Sequence, residues 1–344
     1  MFAVDAVYFA DPVSYRAART GAACIDRSAQ GRLVVRGPDR RSWLQGLLTN
    51  DIDALEAGRG CYAACLTAQG RLVSDIRLLE LGDRLLCDVP PEVIQALQAR
   101  LEEFIITEDV AVEDVTGTLA RVAVYGPSSA KVVVTLSRDS PVELAARLEG
   151  LLRNEHLPIA STWGQLTVAR SRELRIPGFD VYCHADDRDE VIRTVTAGGA
   201  APLNEATWEV LRIEGAIPRF GPDMDDETIP LEAGIEDEAI SFTKGCYVGQ
   251  EIIVRVLHRG QGRVAWKLVG LRLDQAAKIP GAGAELRRDE KEAGRLTSVA
   301  LSPEAGPIAL GYVHREFTAA GTGLVARDQT GESTATVTVG PFVA

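Results

Sequence analysis

The stretch Ser241-Phe242-Thr243-Lys244-Gly245-Cys246-Tyr247-Val248-Gly249-Gln250-Glu251 constrains the fold more than any other. It sets a thiol, a cation, two glycines and a carboxylate on a short run of backbone directly ahead of an amphipathic segment. Ile252, Ile253, Val256 and Leu257 form one apolar stripe of 3.6-residue period, so the spacing predicts a helix that Gly260 can close in the left-handed conformation. Cys246 then falls at or just before the helix N-terminus. Unpaired N–H groups and the helix dipole favour an ionised thiol there, and Lys244 adds a positive charge. Two readings follow: a reactive or ligand-contacting cysteine, or a buried thiol in a tight loop whose glycines serve only turn geometry.

The texture changes on either side of this stretch. Beyond Gly262, short β-rich runs at 264–273, 284–287, 293–301, 308–314, 323–327 and 335–339 alternate with Gly/Pro turns, the pattern of a small antiparallel barrel. Before it, strands and helices interleave without strict βαβ spacing. Gly31 to Arg36 reads as a strand and Asp39 as the cap of a helix carrying Trp43, Leu44, Leu47 and Leu48. Tyr62 to Thr67 and Leu72 to Leu79 read as a hairpin turning at Ala68-Gln69-Gly70. The fold class is therefore α+β with a C-terminal β-barrel, divided as 1–262 and 263–344, and the junction near 260–263 is where a ligand pocket is expected.

Composition narrows the partners. A net charge of −12 and a pI near 5.0 argue against a duplex DNA binder working through whole-surface attraction. No apolar run reaches bilayer length and no signal or transit segment opens the chain, so no membrane partner and a cytoplasmic location are expected. Six scattered cysteines suit reduced thiols. Cys61 and Cys65 lack a second pair with ligand spacing, and His156, His184, His258 and His314 are dispersed, so no metal site is expected. Arg255, His258, Arg259, Arg263 and Lys267 form a basic cluster able to meet an anionic tail, whereas Asp223, Asp225, Asp226 and Glu227 read as a solvated face. Asp75, in a strand between apolar neighbours, must face solvent or find a partner in a pocket. Arg212 and Glu214 lie on different helical faces near a helix end.

The octet KGCYVGQE within ISFTKGCYVGQE resembles the defining motif of the YgfZ-type folate-binding proteins, relatives of the glycine cleavage aminomethyltransferase, or T-protein. The likeness extends over GRLVVRGPDRRSWLQGLLTND, LTAQGRLVSD, RIEGAIPRFGPDMDDETIPLEAG, LTSVALSP and IALGYV. It implies three domains around a folate-sized opening, two interleaved α+β domains and a barrel. It also implies tetrahydrofolate or a one-carbon derivative as cofactor, with Asp75 and Glu214 at the pterin or reacting carbon. Arg212, Lys244, Tyr247 and Gln250 are the further cofactor-binding candidates, and Cys246 and Asp75 the catalytic ones. Cys246 favours the YgfZ branch: a monomeric accessory protein supporting iron–sulfur proteins or their assembly machinery, and through them tRNA thio-modification. Asp75 favours the alternative, a folate-dependent aminomethyltransferase. A folate-independent scaffold is the third reading.

Overall fold

A computed structural model describes residues 7–258, 263–274, 278–329 and 331–343. The expected helix end at Gly260, Arg259, and residues 260–262 of the expected boundary lie outside the described residues. Three sheets make up the fold.

The first sheet is five-stranded, in the spatial order Gly60–Leu66, Leu72–Glu80, Leu85–Val89, Gly31–Arg36, Ala111–Asp114. The second is six-stranded and recruits Ala23–Asp26 from ahead of the first sheet before taking its remaining strands from Leu119–Tyr125 onward. The two are thus interleaved along the chain. After helix Glu205–Glu214, segment 220–256 turns back: Phe220, Met224, Leu231, Tyr247 and Ile253 pack on Tyr62, Ala64, Leu66 and Leu72 of the first sheet.

The C-terminal barrel closes because Trp266–Leu273 pairs with both Gly306–His314 and Glu332–Thr338, while Lys291–Ser302 pairs with Gly306–His314. Closure leaves no free edge among its six strands. The expected runs all appear, but the N-terminal strand Val7–Phe9 lies parallel against Lys291–Ser302, tying the start of the chain to the barrel. A bulge between Leu296 and Ser298 lets consecutive Thr297 and Ser298 hydroxyls both donate to buried Asp223, at 2.6 and 2.7 Å. The same carboxylate accepts from Arg212, so helix Glu205–Glu214 is bound to the barrel by ions and hydroxyls as well as by apolar contact.

The two α+β sheets meet through charge. Strand register sets Tyr62, Arg77 and Asp88 in one row across the first sheet, and Arg121 opposite Tyr182 in the second, with Asp180 on the same face. Arg77 Nη1 donates to Asp180 Oδ2 at 2.5 Å, Arg121 donates to Asp180 Oδ1 at 2.8 and 3.0 Å, and the Tyr182 hydroxyl donates to Asp88. All of these side chains are buried. Removing one partner from such a cluster strands the others without solvent. Asp180→Ala is expected to cost about 3–5 kcal/mol in urea unfolding.

The octet region is a latch. Gly249 has φ +85, and a Cβ there would stand 2.5 Å from Thr67 O and 3.3 Å from the Cα of Gly70 in the hairpin turn. Nothing lies within 4 Å of a Cβ built on Gly245. Gly249→Ala is therefore expected to lower stability by about 2 kcal/mol or more, while Gly245→Ala stays within about 0.5 kcal/mol of wild type in the same denaturation assay.

Candidate functional site

A cleft with a cavity volume of ≈ 110 Å³ opens where the two sheets meet helix Glu205–Glu214 and the segment that follows it. Asp75 reaches it from the hairpin strand Leu72–Glu80, two residues before Arg77 and hence on the same face. Tyr62, opposite Arg77 on the neighbouring strand, is a diagonal neighbour of Asp75, and its hydroxyl donates to Asp75 Oδ2 at 2.8 Å. The Arg172 guanidinium lies 3.4 Å from the Tyr62 ring centroid and is held by Glu238 at 3.0 Å. Burial raises the Asp75 carboxyl above its ordinary value, with the Tyr62 hydrogen bond and Arg172 pulling back. Burial and Asp75 raise Tyr62 well above the usual phenol value, so it remains a donor.

The cleft carries a second carboxylate of opposite character. Glu173 is also taken out of water, but Arg121 at 2.8 Å and Arg27 at 3.8 Å pull it down to about 2, and Tyr125 donates to it at 3.0 Å. Burial dominates at Asp75; ion pairing dominates at Glu173. Two carboxylates in one opening thus have separated proton affinities, the arrangement that divides charge-holding from proton-accepting roles.

The sequence-predicted residues separate into two places. Asp75 and Arg212 line the cleft. The Arg212 guanidinium is saturated by Glu209, Asp223, Ile217 O and Ser298, so it shapes the wall with no donor to spare for a ligand. Glu214 does not line the cleft: fully buried, it accepts from Tyr15, Arg19 and Ser302, binding its helix to the N-terminal helix Pro12–Thr20 and the barrel. Lys244 was expected to serve the thiol or an anionic tail, but its ammonium donates to Gln45 O, Leu48 O and Asn50 O at 2.6–2.8 Å. It caps the C-terminal carbonyls of helix Arg40–Leu47, where a cation is favoured. Tyr247 is buried against the first sheet, and Gln250 opens helix Gln250–His258. Cys246 lies ahead of that helix; it is exposed and outside the cleft lining. Of the basic cluster, Arg255 pairs with Glu251 and Arg263 is exposed. Asp39 does not cap its helix; its side chain accepts from Asp109 N.

Sequence reading passed over Arg27, Tyr62, Asp88, Arg121, Arg172, Glu173 and Trp208, all of which line the cleft. A signal existed for some of them. Arg77, Asp88 and Arg121 are charges inside otherwise apolar central strands, which must be paired or face a cavity. The pairing itself spans 59 to 103 residues of sequence and had no local trace. Burial pushes Cys65 up to about 11 and Cys61 up to about 12, in keeping with packed, unreactive thiols. Among the described residues no group of three His, Cys, Asp or Glu is placed to hold a metal, and no helix is long and apolar enough to cross a membrane.

Residues 10–244 match the family described as GCVT N-terminal domain, and residues 267–343 match the glycine cleavage T-protein C-terminal barrel domain. The chain is 30% identical over 303 residues to the aminomethyltransferase of Rubrobacter xylanophilus, covering 88% of this chain and 78% of that protein. It is 27% identical over 314 residues to the aminomethyltransferase of Bacillus subtilis, covering 90% and 84%. The crystal structure of the glycine cleavage system aminomethyltransferase T from Bartonella henselae superposes with a TM-score of 0.84 at 21% identity, over 96% of this chain and 89% of that one, which shows a shared fold. With both of its parts matched in order along the sequence, the chain belongs to the glycine cleavage T-protein family.

Proposed function

We propose that the cleft binds tetrahydrofolate or a one-carbon derivative and that the protein is a folate-dependent aminomethyltransferase. The observation that carries this reading is Asp75: a carboxylate raised by burial, held by Tyr62 and lining the cleft between the two sheets. The chemistry of the lining agrees with a reduced folate. Tyr62, Trp208 and Phe220 supply aromatic surface, carboxylates can accept from pterin N–H groups, and Arg172 and Arg219 suit an anionic glutamate tail.

When bound, tetrahydrofolate supplies the nucleophilic nitrogen that accepts the one-carbon unit. Asp75 then has two tasks that its setting suits. Its charge, in a site partly shielded from water, stabilises cationic character at the transferring carbon, and its raised proton affinity makes it a better acceptor of the displaced proton than an ordinary aspartate. Tyr62 fixes which way the carboxylate points, and Arg172 braces the Tyr62 ring.

A second reading, the YgfZ-type accessory protein serving iron–sulfur proteins, is supported by the octet. Its thiol is exposed and stands apart from the cleft, as a group that meets another macromolecule would.

Methylene-tetrahydrofolate formation from an aminomethyl donor separates the two. On the transferase reading, Asp75→Asn lowers turnover by about 100-fold or more and Cys246→Ala leaves it unchanged. Absence of wild-type turnover, with tetrahydrofolate still bound, supports the accessory reading. Asp75 also has a stability signature. Because its folded value is raised, ionisation costs stability above the unfolded carboxylate value of about 3.9. Asp75→Asn is expected to melt higher than wild type at neutral pH, the gain fading as pH falls through the raised folded value and vanishing below the unfolded one.

A further inference from the structure

The two sheets part a second time, away from the cleft, around a slot of ≈ 410 Å³, a volume within the range of small-molecule sites. On strand Leu85–Val89, Asp88 faces the cleft, while Leu86, two residues back on the same side of the sheet, faces the slot. Tyr182 stands between them: it lines the slot, and its hydroxyl donates to Asp88. The floor is apolar, made by Val34, Leu86, Val115 and Tyr182 with Leu81 and Leu119 packed against them. The transfer chemistry of the cleft makes no use of this slot.

Its rim carries an arrangement that sheets avoid. Val34 pairs with Leu86 and Val35 with Leu85, so one step further along the register Arg36 stands beside Arg84, on the face that bears Val34 and Leu86. Like charges at facing positions repel. Asp83 bridges the two: its Oδ2 lies 2.8 Å from Arg84 Nη1 and 3.8 Å from Arg36 Nη1. Arg36 meets its other carboxylate, Glu113, only at 3.9 Å, so among the described residues its guanidinium makes no hydrogen bond. Asp83 and Glu113 are 64% and 61% exposed, and exposed ion pairs contribute little, so an incoming anion displaces them readily. The slot runs on into a hollow of ≈ 520 Å³ that shares Leu81, Arg84, Gln165 and Thr167 with it. His156 lines that hollow, is 6% exposed, and leaves Nδ1 without a hydrogen-bond partner among the described residues. Buried polar groups are nearly always paired, so polar capacity left open beside a cavity points to a ligand.

A cation is repelled by the paired arginines, and a small hydrophilic anion leaves the apolar floor uncovered. An apolar body that ends in a carboxylate meets both, and a carboxylate is the group that already bridges the pair. We propose that the slot is a second ligand site, separate from the cleft, for a medium-chain carboxylic acid. The acid group lies between Arg36 and Arg84 in the place of Asp83, and the chain lies on Val34, Leu81, Leu86 and Leu119. Two adjacent guanidiniums offer the carboxylate paired N–H donors, and the bound anion removes the repulsion between them.

Titration calorimetry of the full-length protein tests this with octanoate, octanamide and acetate as probes. Octanoate is expected to bind once per chain and about tenfold or more tighter than octanamide, which keeps the chain, or acetate, which keeps the charge. The Arg36→Gln/Arg84→Gln double variant is expected to bind octanoate no better than octanamide, and Asp83→Asn to bind octanoate more tightly than wild type, both at an unchanged melting temperature. Saturating tetrahydrofolate is expected to leave the octanoate affinity unchanged. No octanoate binding by wild type, or equal affinity for octanoate and octanamide, overturns the proposal without recourse to any variant. Full octanoate affinity in a folded double variant overturns it too, as does displacement by tetrahydrofolate, which puts the chain in the cleft instead. The octanoate measurements stand whether or not the cleft takes a folate, so the two readings fail separately.

Discussion

The buried cluster of Arg77, Asp88, Arg121, Asp180 and Tyr182 is the contact on which the rest of the molecule depends. It joins two sheets whose facing rows are polar rather than apolar, and three of its members, Arg77, Asp88 and Arg121, line the cleft beside it. Charges out of water tolerate little displacement, because each is neutralised by a partner on the other sheet. The cleft therefore inherits a fixed shape. Asp75, two residues from Arg77 on one strand, is positioned by a network in which it takes no part.

A second polar junction seats the barrel. Asp223 accepts from Arg212, Thr297 and Ser298, and Glu214 accepts from Tyr15, Arg19 and Ser302. Arg212 and Glu214 thus hold the helix that forms one wall of the cleft against the barrel. The octet works on the opposite flank. Lys244 anchors to helix Arg40–Leu47, and Gly249 closes on the hairpin turn at Gly70. The first ties the octet to that helix and the second to the hairpin that carries Asp75, which gives the octet a structural task that does not depend on its thiol.

Much of the architecture was legible. The hairpin around Gly70, the helix carrying Trp43 and Leu44, and the barrel strands all rest on local periodicity and turn chemistry, which short windows of sequence record. The strands Val7–Phe9 and Ala23–Asp26 were not legible. Both are short, and each becomes a strand only by pairing with a distant partner, Lys291–Ser302 or Leu119–Tyr125. The site divides in the same way. Asp75 was conspicuous as a charge in an apolar strand. Glu173, Trp208 and Arg27 sit in unremarkable local settings and acquire meaning only from what folds against them.

By itself, then, the sequence determined most of the elements, the class and the T-protein likeness, since hydrophobic period, turn residues and short motifs are properties of neighbouring residues. Only the tertiary structure decided which charges meet. It turned Lys244 toward a helix end, enclosed Glu214 between helix and barrel, left Cys246 in solvent, and gathered Asp75, Glu173, Arg27 and Trp208 around one opening. The reason is physical. A buried charge is placed by the partner that offsets its desolvation, and that partner lies tens to hundreds of residues away, beyond the reach of any local pattern.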